Sequence, residues 1–185
     1  KEPHFSRYRL EGLWLLTALN HYSEKALKTS LNAKNSRERA AAIRVLSHWG
    51  KQAAFLPFLK KAIVDSDPQV RLETLHALRA LGTKEAAETA IKVKGLPMDE
   101  NLKFALDLLL SRLKDKWLPA FAKNENPFNG RINNQLYALL TCEDAEVIKP
   151  INNLLTQKGL DKDLINKAWS LLAKIGDAAS LEKVL

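Results

Sequence analysis

RLEGLWLLTAL occupies residues 9–19 of the chain, and RLETLHALRAL occupies residues 71–81. Seven letters recur between the two stretches in the same order and at the same offsets. Between them lies SRERAAAIRVLSHWG at residues 36–50, in which Arg39 matches the opening arginine of the other two stretches. The three arginines are 30 and 32 residues apart. Self-similarity at such a period predicts a repeat protein.

Each copy has the pattern of an amphipathic helix. Apolar residues recur at the helical period, and a Gly or Asn closes each copy where a left-handed C-cap is needed. The structural repeat positions are Arg9, Leu13, Leu16 and Asn20; Arg39, Ile43, Leu46 and Gly50; and Arg71, Leu75, Leu78 and Gly82.

A shorter helical stretch follows each strong one, so the repeat unit is a helix, a turn and a second helix. These second stretches are SEKALKTSLNA, AAFLPFLKKAIVD and KEAAETAIKVK. One such pair cannot bury its apolar face alone, but stacked pairs share a continuous core. The pattern continues with more drift and predicts roughly twelve helices in six pairs.

Local signals mark several helix starts. Ser36, the Asp67-Pro68 pair and Asp99 are predicted to begin helices, because a capping side chain or a first-turn proline favours that position. Prolines within the second helices are predicted to kink them or to mark their true starts: Pro57, Pro119 and Pro150.

The net charge of +8 is confined to one end of the chain. Residues 1–62 carry twelve Lys and Arg against four Glu, whereas residues 63–185 carry seventeen charges of each sign. This gradient indicates either a solvated surface or a docking site for an acidic protein, a nucleic acid or a membrane surface. The possible binding surface consists of Lys25, Lys28, Arg39, Lys60, Lys61 and Arg71.

Other residue types point to few chemical roles. Cys142 is the single cysteine, so the chain has neither an internal disulfide nor a cysteine-based zinc site. His48 and His76 fall at different repeat positions, which makes a metal site along the stack improbable. No phosphate loop, nucleophile elbow or zinc-protease motif occurs, and no catalytic or cofactor-binding residue is assigned. No apolar run is long enough to span a membrane.

Paired helices of this period, together with Asp-Pro-x-Val-Arg at residues 67–71, resemble HEAT repeats. A narrower resemblance covers about residues 7–121, and its most specific parts are Ala40–Trp49 and Pro97–Leu106. This succession is similar to the HEAT-like segment of large secreted or membrane-associated bacterial proteins. In that family a glucose/sorbosone-dehydrogenase-like propeller precedes the segment and a c-type cytochrome domain follows it. The resemblance implies an extracytoplasmic location and flanking domains in the same polypeptide.

Two interpretations are open for the arginines at repeat positions Arg9, Arg39 and Arg71. In a structural ladder each arginine pairs with an acid or a carbonyl of a neighbour, with Glu11 as candidate for Arg9 and Asp67 or Glu73 for Arg71. In the other interpretation the row binds anions, which suits the planar guanidinium equally well. The tryptophans have a similar ambiguity between packing and stacking on a ligand: Trp14, Trp49, Trp117 and Trp169.

These patterns predict an all-α, right-handed α-solenoid of about six HEAT-like helix pairs. We expect a single domain over residues 1–185, with clearer repeats in 1–124 and more divergent ones in 125–185, cut from a larger protein. The expected role is a non-catalytic scaffold, without cofactor, for flanking domains or a protein partner. The alternative is a basic groove for nucleic acid or another polyanion, as in HEAT-like DNA glycosylases.

Overall fold

The computed structural model describes residues 4–48, 53–123 and 125–175, which form α-helices, short 3-10 turns and loops without a strand. Gly50, Trp49 and the predicted last helix at residues 178–185 lie outside these ranges. The chain packs as two compact units, residues 1–109 and 110–185. The boundary between them falls inside a helix, not near residue 124, and the prediction of one continuous domain stays a prediction.

Unit 1 is a stack of helix pairs. Its elements are α1 (His4–Ala18), α2 (Glu24–Leu31), α3 (Ser36–His48), a 3-10 turn (Ala53–Phe55) with α4 (Leu56–Ala62), α5 (Pro68–Leu81), α6 (Lys84–Ala90) with a 3-10 turn (Ile91–Gly95), and most of α7 (Glu100–Arg112). The first helices α1, α3 and α5 pack in that order, while α2 lies against α1 and α3, and α6 against α5. This arrangement is the predicted α-solenoid architecture.

Helix boundaries in unit 1 follow the capping signals. The Asp67 side chain accepts hydrogen bonds from the backbone N–H groups of Gln69 (2.8 Å) and Val70 (3.4 Å), with Pro68 in the first turn of α5. Gly82 ends α5 in the left-handed conformation (φ +69°). Asn20 is left-handed after α1 (φ 51°). The predicted caps at the start of α5 and at the ends of α1 and α5 are therefore confirmed.

The residue that caps α3 lies one position before the predicted one. Ser36 is the first residue of α3, and the capping bond comes from Asn35, whose Oδ1 accepts from the Arg37 N–H at 2.9 Å. Asp99 behaves as predicted, since its Oδ1 accepts from the Leu102 N–H at 2.8 Å at the start of α7.

The prolines mark helix starts. Pro57 lies in the first turn of α4, Pro119 opens α9 (Pro119–Ala122), and Pro150 lies early in α11 (Ile148–Leu155). A proline has no N–H to donate and clashes with the preceding turn of a helix. In these three cases a short helical segment precedes the helix that contains the proline: Ala53–Phe55, Lys114–Trp117 and Ala145–Val147.

Most of the repeat positions chosen for the core are buried. Leu13, Ile43 and Leu75 are at most 1% exposed, and Leu46 and Leu78 at most 2%. Leu16 differs, because it is only half-buried and lines an open groove between α1 and α2.

Unit 2 contains α8 (Lys114–Trp117), α9, a 3-10 turn (Pro127–Gly130), α10 (Ile132–Leu139), a 3-10 turn (Ala145–Val147), α11 and α12 (Lys162–Ile175). Trp117 is fully buried and donates its Nε1–H to the carbonyl of Leu110 at 2.9 Å. Its ring meets Phe121 and Phe128 edge to face, at 6.2 and 5.5 Å between centroids. Phe128 lies in the stretch NENPFNG at residues 124–130, whose Asn, Pro and Gly residues are typical of an irregular loop, yet its side chain is fully buried in the core of unit 2.

Truncation of a buried repeat leucine tests the repeat register. We expect Leu78→Ala to lower the free energy of unfolding by about 2–5 kcal/mol, because it removes buried methyl groups and leaves a cavity. Leu46→Ala should fall in the same range. The matched control is Leu15→Ala on α1, where the side chain is 64% exposed and the expected change is within about 0.5 kcal/mol. Urea unfolding midpoints decide, and equal effects for Leu78 and Leu15 would contradict the assigned core.

Candidate functional site

The first rung of the arginine ladder joins α1 to α3. Arg9 donates from Nε to Oε1 of Glu38 at 2.7 Å and from Nη2 to Oε2 at 3.0 Å. The Glu38 side chain is fully buried, whereas that of Arg9 is 34% exposed. A forked, two-bond pair of this kind fixes orientation as well as distance. It therefore sets how α1 lies on α3.

The second rung joins two loops. Arg39 donates from Nε and Nη2 to the two carboxylate oxygens of Asp65, both at 2.8 Å. Its Nη1 donates to the carbonyls of Ala33 (2.9 Å) and Lys34 (3.0 Å) in the loop before α3. One guanidinium thus ties the turn that enters its own helix to the turn that enters α5.

The third rung repeats this geometry with a different acceptor. Arg71 Nη1 donates to the carbonyls of Asp65 (2.8 Å) and Ser66 (3.1 Å), and Nη2 donates to the carbonyl of Pro97 at 2.7 Å. Pro97 follows Arg71 by the same 26 residues that separate Asp65 from Arg39. A backbone carbonyl therefore takes the place of a carboxylate. Arg71 is 4% exposed, and its Nε is buried without a hydrogen-bond partner.

The ladder geometry corrects the partners expected from sequence. Glu11 pairs with Arg7 within α1 at 2.8 Å, and not with Arg9. Asp67 caps α5, and Glu73 pairs with Arg44 of α3, so neither binds Arg71.

Glu38 and the Arg44–Glu73 pair were not predicted from the sequence. Their spacing in the sequence could have predicted both pairs, because Glu38 follows Arg9 by 29 residues and Glu73 follows Arg44 by 29 residues. An acid about one repeat after an arginine is a better candidate than an acid nearby in sequence.

The possible binding surface separates into two groups. Arg39 and Arg71 do not belong to an open surface, because their guanidinium groups are committed to Asp65 and to backbone carbonyls. The remaining members are exposed on α2 and α4: Lys25, Lys28, Lys60 and Lys61. The binding role of these four lysines stays a prediction.

Two of these lysines have partners within the chain. Lys28 pairs with Glu24 one turn earlier at 2.6 Å, and Lys61 donates to Oδ1 of Asn32 at 2.8 Å, which links α4 to the end of α2. Exposed pairs of this kind contribute little to stability and are screened by salt. The positive charges of these lysines therefore remain accessible to solvent and to a docking partner.

The tryptophans do not share one environment. Trp14 on α1 is 52% exposed, whereas Trp117 is fully buried and Trp169 is half-buried. Trp117 therefore packs in the core, whereas Trp14 is not a core residue, and its role stays open between packing at the edge of a groove and stacking on a ligand.

Each unit contains a groove. In unit 1 a groove of about 630 Å³ lies between α1 and α2, with Leu15, Leu16 and Leu19 among its lining residues. In unit 2 a groove of about 850 Å³ runs along α8, α9 and α11. There Lys114 donates to Asp144 (2.6 Å) and Glu146 (2.8 Å), and these carboxylates raise the pKa of Lys114.

Among the described residues no three His, Cys, Asp or Glu side chains form a group that could hold a metal ion. Burial raises the pKa of the Cys142 thiol, and a protonated buried thiol is a poor nucleophile. No described helix is long and apolar enough to cross a membrane.

The Arg39–Asp65 rung should make stability depend on acid. Burial alone would raise the pKa of Asp65, but hydrogen bonds from Arg39 and from the Asp67 N–H outweigh it and lower that pKa. A depressed folded-state pKa stabilises the fold above the unfolded value of about 3.9, and the contribution is lost as pH falls below it. Asp65→Asn should lower the free energy of unfolding by about 1–3 kcal/mol at pH 6. The difference in that free energy between the variant and the parent chain should be smaller at pH 3.

The control for this experiment is Glu11→Gln, because the Arg7–Glu11 pair is exposed and is expected to contribute at most about 1 kcal/mol. Urea unfolding at both pH values gives the comparison. A gap that is unchanged between pH 6 and pH 3 would show that the carboxylate charge of Asp65 does not stabilise the stack.

Comparisons with known proteins agree with this geometry. Residues 24–94 match a family model described as HEAT repeats. The fold is similar to the crystal structure of an engineered protein, a Northeast Structural Genomics Consortium target, with a TM-score of 0.55 and 15% identity over 92% of this chain and 91% of that one. At this identity the likeness shows the fold alone. No curated protein matches the chain. The chain is an all-helical α-solenoid whose segment 24–94 is similar to HEAT repeats.

Proposed function

We propose that this chain is a non-catalytic scaffold and interaction module. The observation that carries the proposal is the ladder itself, in which Arg9, Arg39 and Arg71 are all used to join consecutive parts of the stack. HEAT repeats generally serve protein–protein interaction, and the described residues of this chain match that role better than they match a reaction centre.

The mechanism of such a module is presentation of a preformed surface. Each rung fixes one helix pair against the next, so surface residues on successive pairs keep constant spacing. A partner then binds without first ordering the scaffold, which removes part of the entropic cost of association. A few large side chains supply most of the affinity at such surfaces. Exposed candidates in unit 1 are Tyr8, Trp14, Tyr22 and Phe104.

The partners we propose are flanking domains of the same polypeptide, or a second protein. The parent is proposed to be a large extracytoplasmic multidomain protein, periplasmic, secreted or on the outer surface. Support for this finer statement comes from the sequence resemblance carried by Ala40–Trp49 and Pro97–Leu106.

A polyanion-binding module is the second candidate, favoured by the exposed lysines of α2 and α4. This second candidate is less well supported because the guanidinium groups of Arg39 and Arg71 form hydrogen bonds inside the stack. Arginine is the residue that best grips phosphate through two parallel hydrogen bonds. The lysines that remain suit a general electrostatic attraction to acidic surfaces.

Photo-crosslinking in the organism that makes the protein tests the scaffold role. A benzophenone-bearing residue replaces Trp14 in one variant and Phe104 in another, because both side chains are more than half exposed. We expect at least one variant to give a discrete adduct with a single defined protein segment, located by mass spectrometry. Adducts to nucleic acid alone at both positions would overturn the proposal.

Titration with nucleic acid tests the alternative. Fluorescence anisotropy with a labelled duplex and a labelled single strand should show only weak binding, with Kd no tighter than about 10⁻⁶ M at physiological salt. The Lys60→Glu variant should weaken this residual binding equally for all sequences. Sequence-selective binding in the nanomolar range would make the polyanion module the better description.

A further inference from the structure

The outward face of α1 is apolar and open. Two large hydrophobic side chains of α1 are exposed on this face, Tyr8 (65%) and Leu15 (64%), and Leu19, directly after the helix, is 75% exposed. A soluble repeat array normally ends in a repeat whose outer face is polar. The outer face of α1 does not follow that rule.

Equivalent positions in the next two first helices are buried. The repeat alignment that superposes Arg9, Arg39 and Arg71 also matches Leu15 with Val45 and Ala77. Tyr8 is 65% exposed, whereas its matched residues Glu38 and Val70 are 0 and 1% exposed. Leu15 is 64% exposed, against 2% for Val45 and 4% for Ala77. Leu19 is 75% exposed, and its matched residue Leu81 is 8% exposed. The same face of the repeat is therefore closed in α3 and α5 and open in α1.

In both closed cases the covering element is the first helix of the preceding pair. Glu38 on this face of α3 is bound by Arg9 of α1. Glu73 on the same face of α5 is bound by Arg44 of α3. Each interface thus joins a basic residue on the earlier helix to an acid on the later one. Glu11 of α1 stands at the position of Glu73. It pairs with the exposed Arg7 of its own helix, and its side chain is 44% exposed.

We propose that one further helix pair of the same repeat type, preceding α1 in the same polypeptide, stacks on this face. Its first helix lays an apolar stripe over Leu15 and Leu19, and it carries a basic residue at the position of Arg44, opposite Glu11. The stacking interface from α5 to α3 to α1 is continuous in register, and the charge at Glu11 has the sign that such a neighbour needs. The 630 Å³ groove between α1 and α2 widens the surface that the neighbour covers.

This inference names one partner of the proposed scaffold role and rests on that role only in assuming assembly through protein contacts. The two can fail separately. A partner found by crosslinking at Phe104 would leave the scaffold role intact even if the α1 face proved to be unused.

The test adds a neighbour in the correct register. A second copy of residues 36–67 is joined directly ahead of Ser6, which places Arg9 as far from the added Asp67 as Arg71 lies from Asp67 in the chain. The added Arg44 then precedes Glu11 by 29 residues, the spacing of the Arg44–Glu73 pair. Leu15→Cys, in both the extended and the original chain, reports burial of the face through its rate of maleimide labelling.

We expect the extension to slow labelling of Leu15→Cys by about tenfold or more, because the thiol reacts only when the interface opens. Labelling of Phe104→Cys, away from this face, should not change. The extension that carries Arg44→Glu in the added copy should restore part of the labelling at position 15. Equal labelling of Leu15→Cys in the extended and original chains would overturn the proposal.

A second measurement guards against an extension that fails to fold. Light scattering of the original chain over a range of concentrations reports self-association. We expect a monomer with Leu15 and Leu19 accessible to solvent. A concentration-dependent dimer that Leu15→Lys dissolves would assign the face to a second copy of this chain and overturn the proposal.

Discussion

The guanidinium at the start of each first helix joins successive parts of the stack, and the register of unit 1 depends on it. Arg39 shows why, because it holds the loop before its own helix and the acid before the next one in a single planar group. An apolar contact between two helices tolerates sliding along the axis, whereas a forked pair does not. The hydrophobic effect supplies most of the driving force for stacking, and the arginine selects one relative position.

Burying an arginine inside a helical stack costs free energy, and the three arginines offset this cost with different partners. Arg9 and Arg39 keep their charge compensated by carboxylates and remain partly exposed. Arg71 is almost fully buried and is held by three backbone carbonyls. Buried charges are costly unless they are paired or hydrogen-bonded. The third rung therefore depends most on the exact path of its neighbouring turns, where Pro97 restricts the backbone before α7.

Much of this fold could be predicted from the sequence, because the decisive signals are local. Helical period, the cap at Asp67 and the left-handed Gly82 lie within a few residues of the structure that they determine. The partners that join each arginine to the next helix pair, Glu38, Asp65 and Pro97, are 26 to 29 residues away, so they can be identified only when the packing of one pair on the next is known. Proximity in sequence favoured Glu11 for Arg9, yet side chains two apart on a helix point to different faces. The burial of Phe128 was not predicted either, because it depends on a tertiary contact with Trp117 and the surrounding stretch is rich in turn formers.

The exposure of Tyr8 and Leu15 could not be predicted from the pattern, since the same apolar spacing occurs in a covered and in an uncovered helix. Periodicity predicts which residues share a face, but not whether a neighbour is present to cover it. Comparing exposure at matched positions in one chain separates these two questions. In α3 and α5 the face is closed by an earlier helix, and Arg9 and Arg44 mark those closures with ion pairs. The ion pairs between successive first helices therefore also indicate the face of α1 on which a further helix pair stacks.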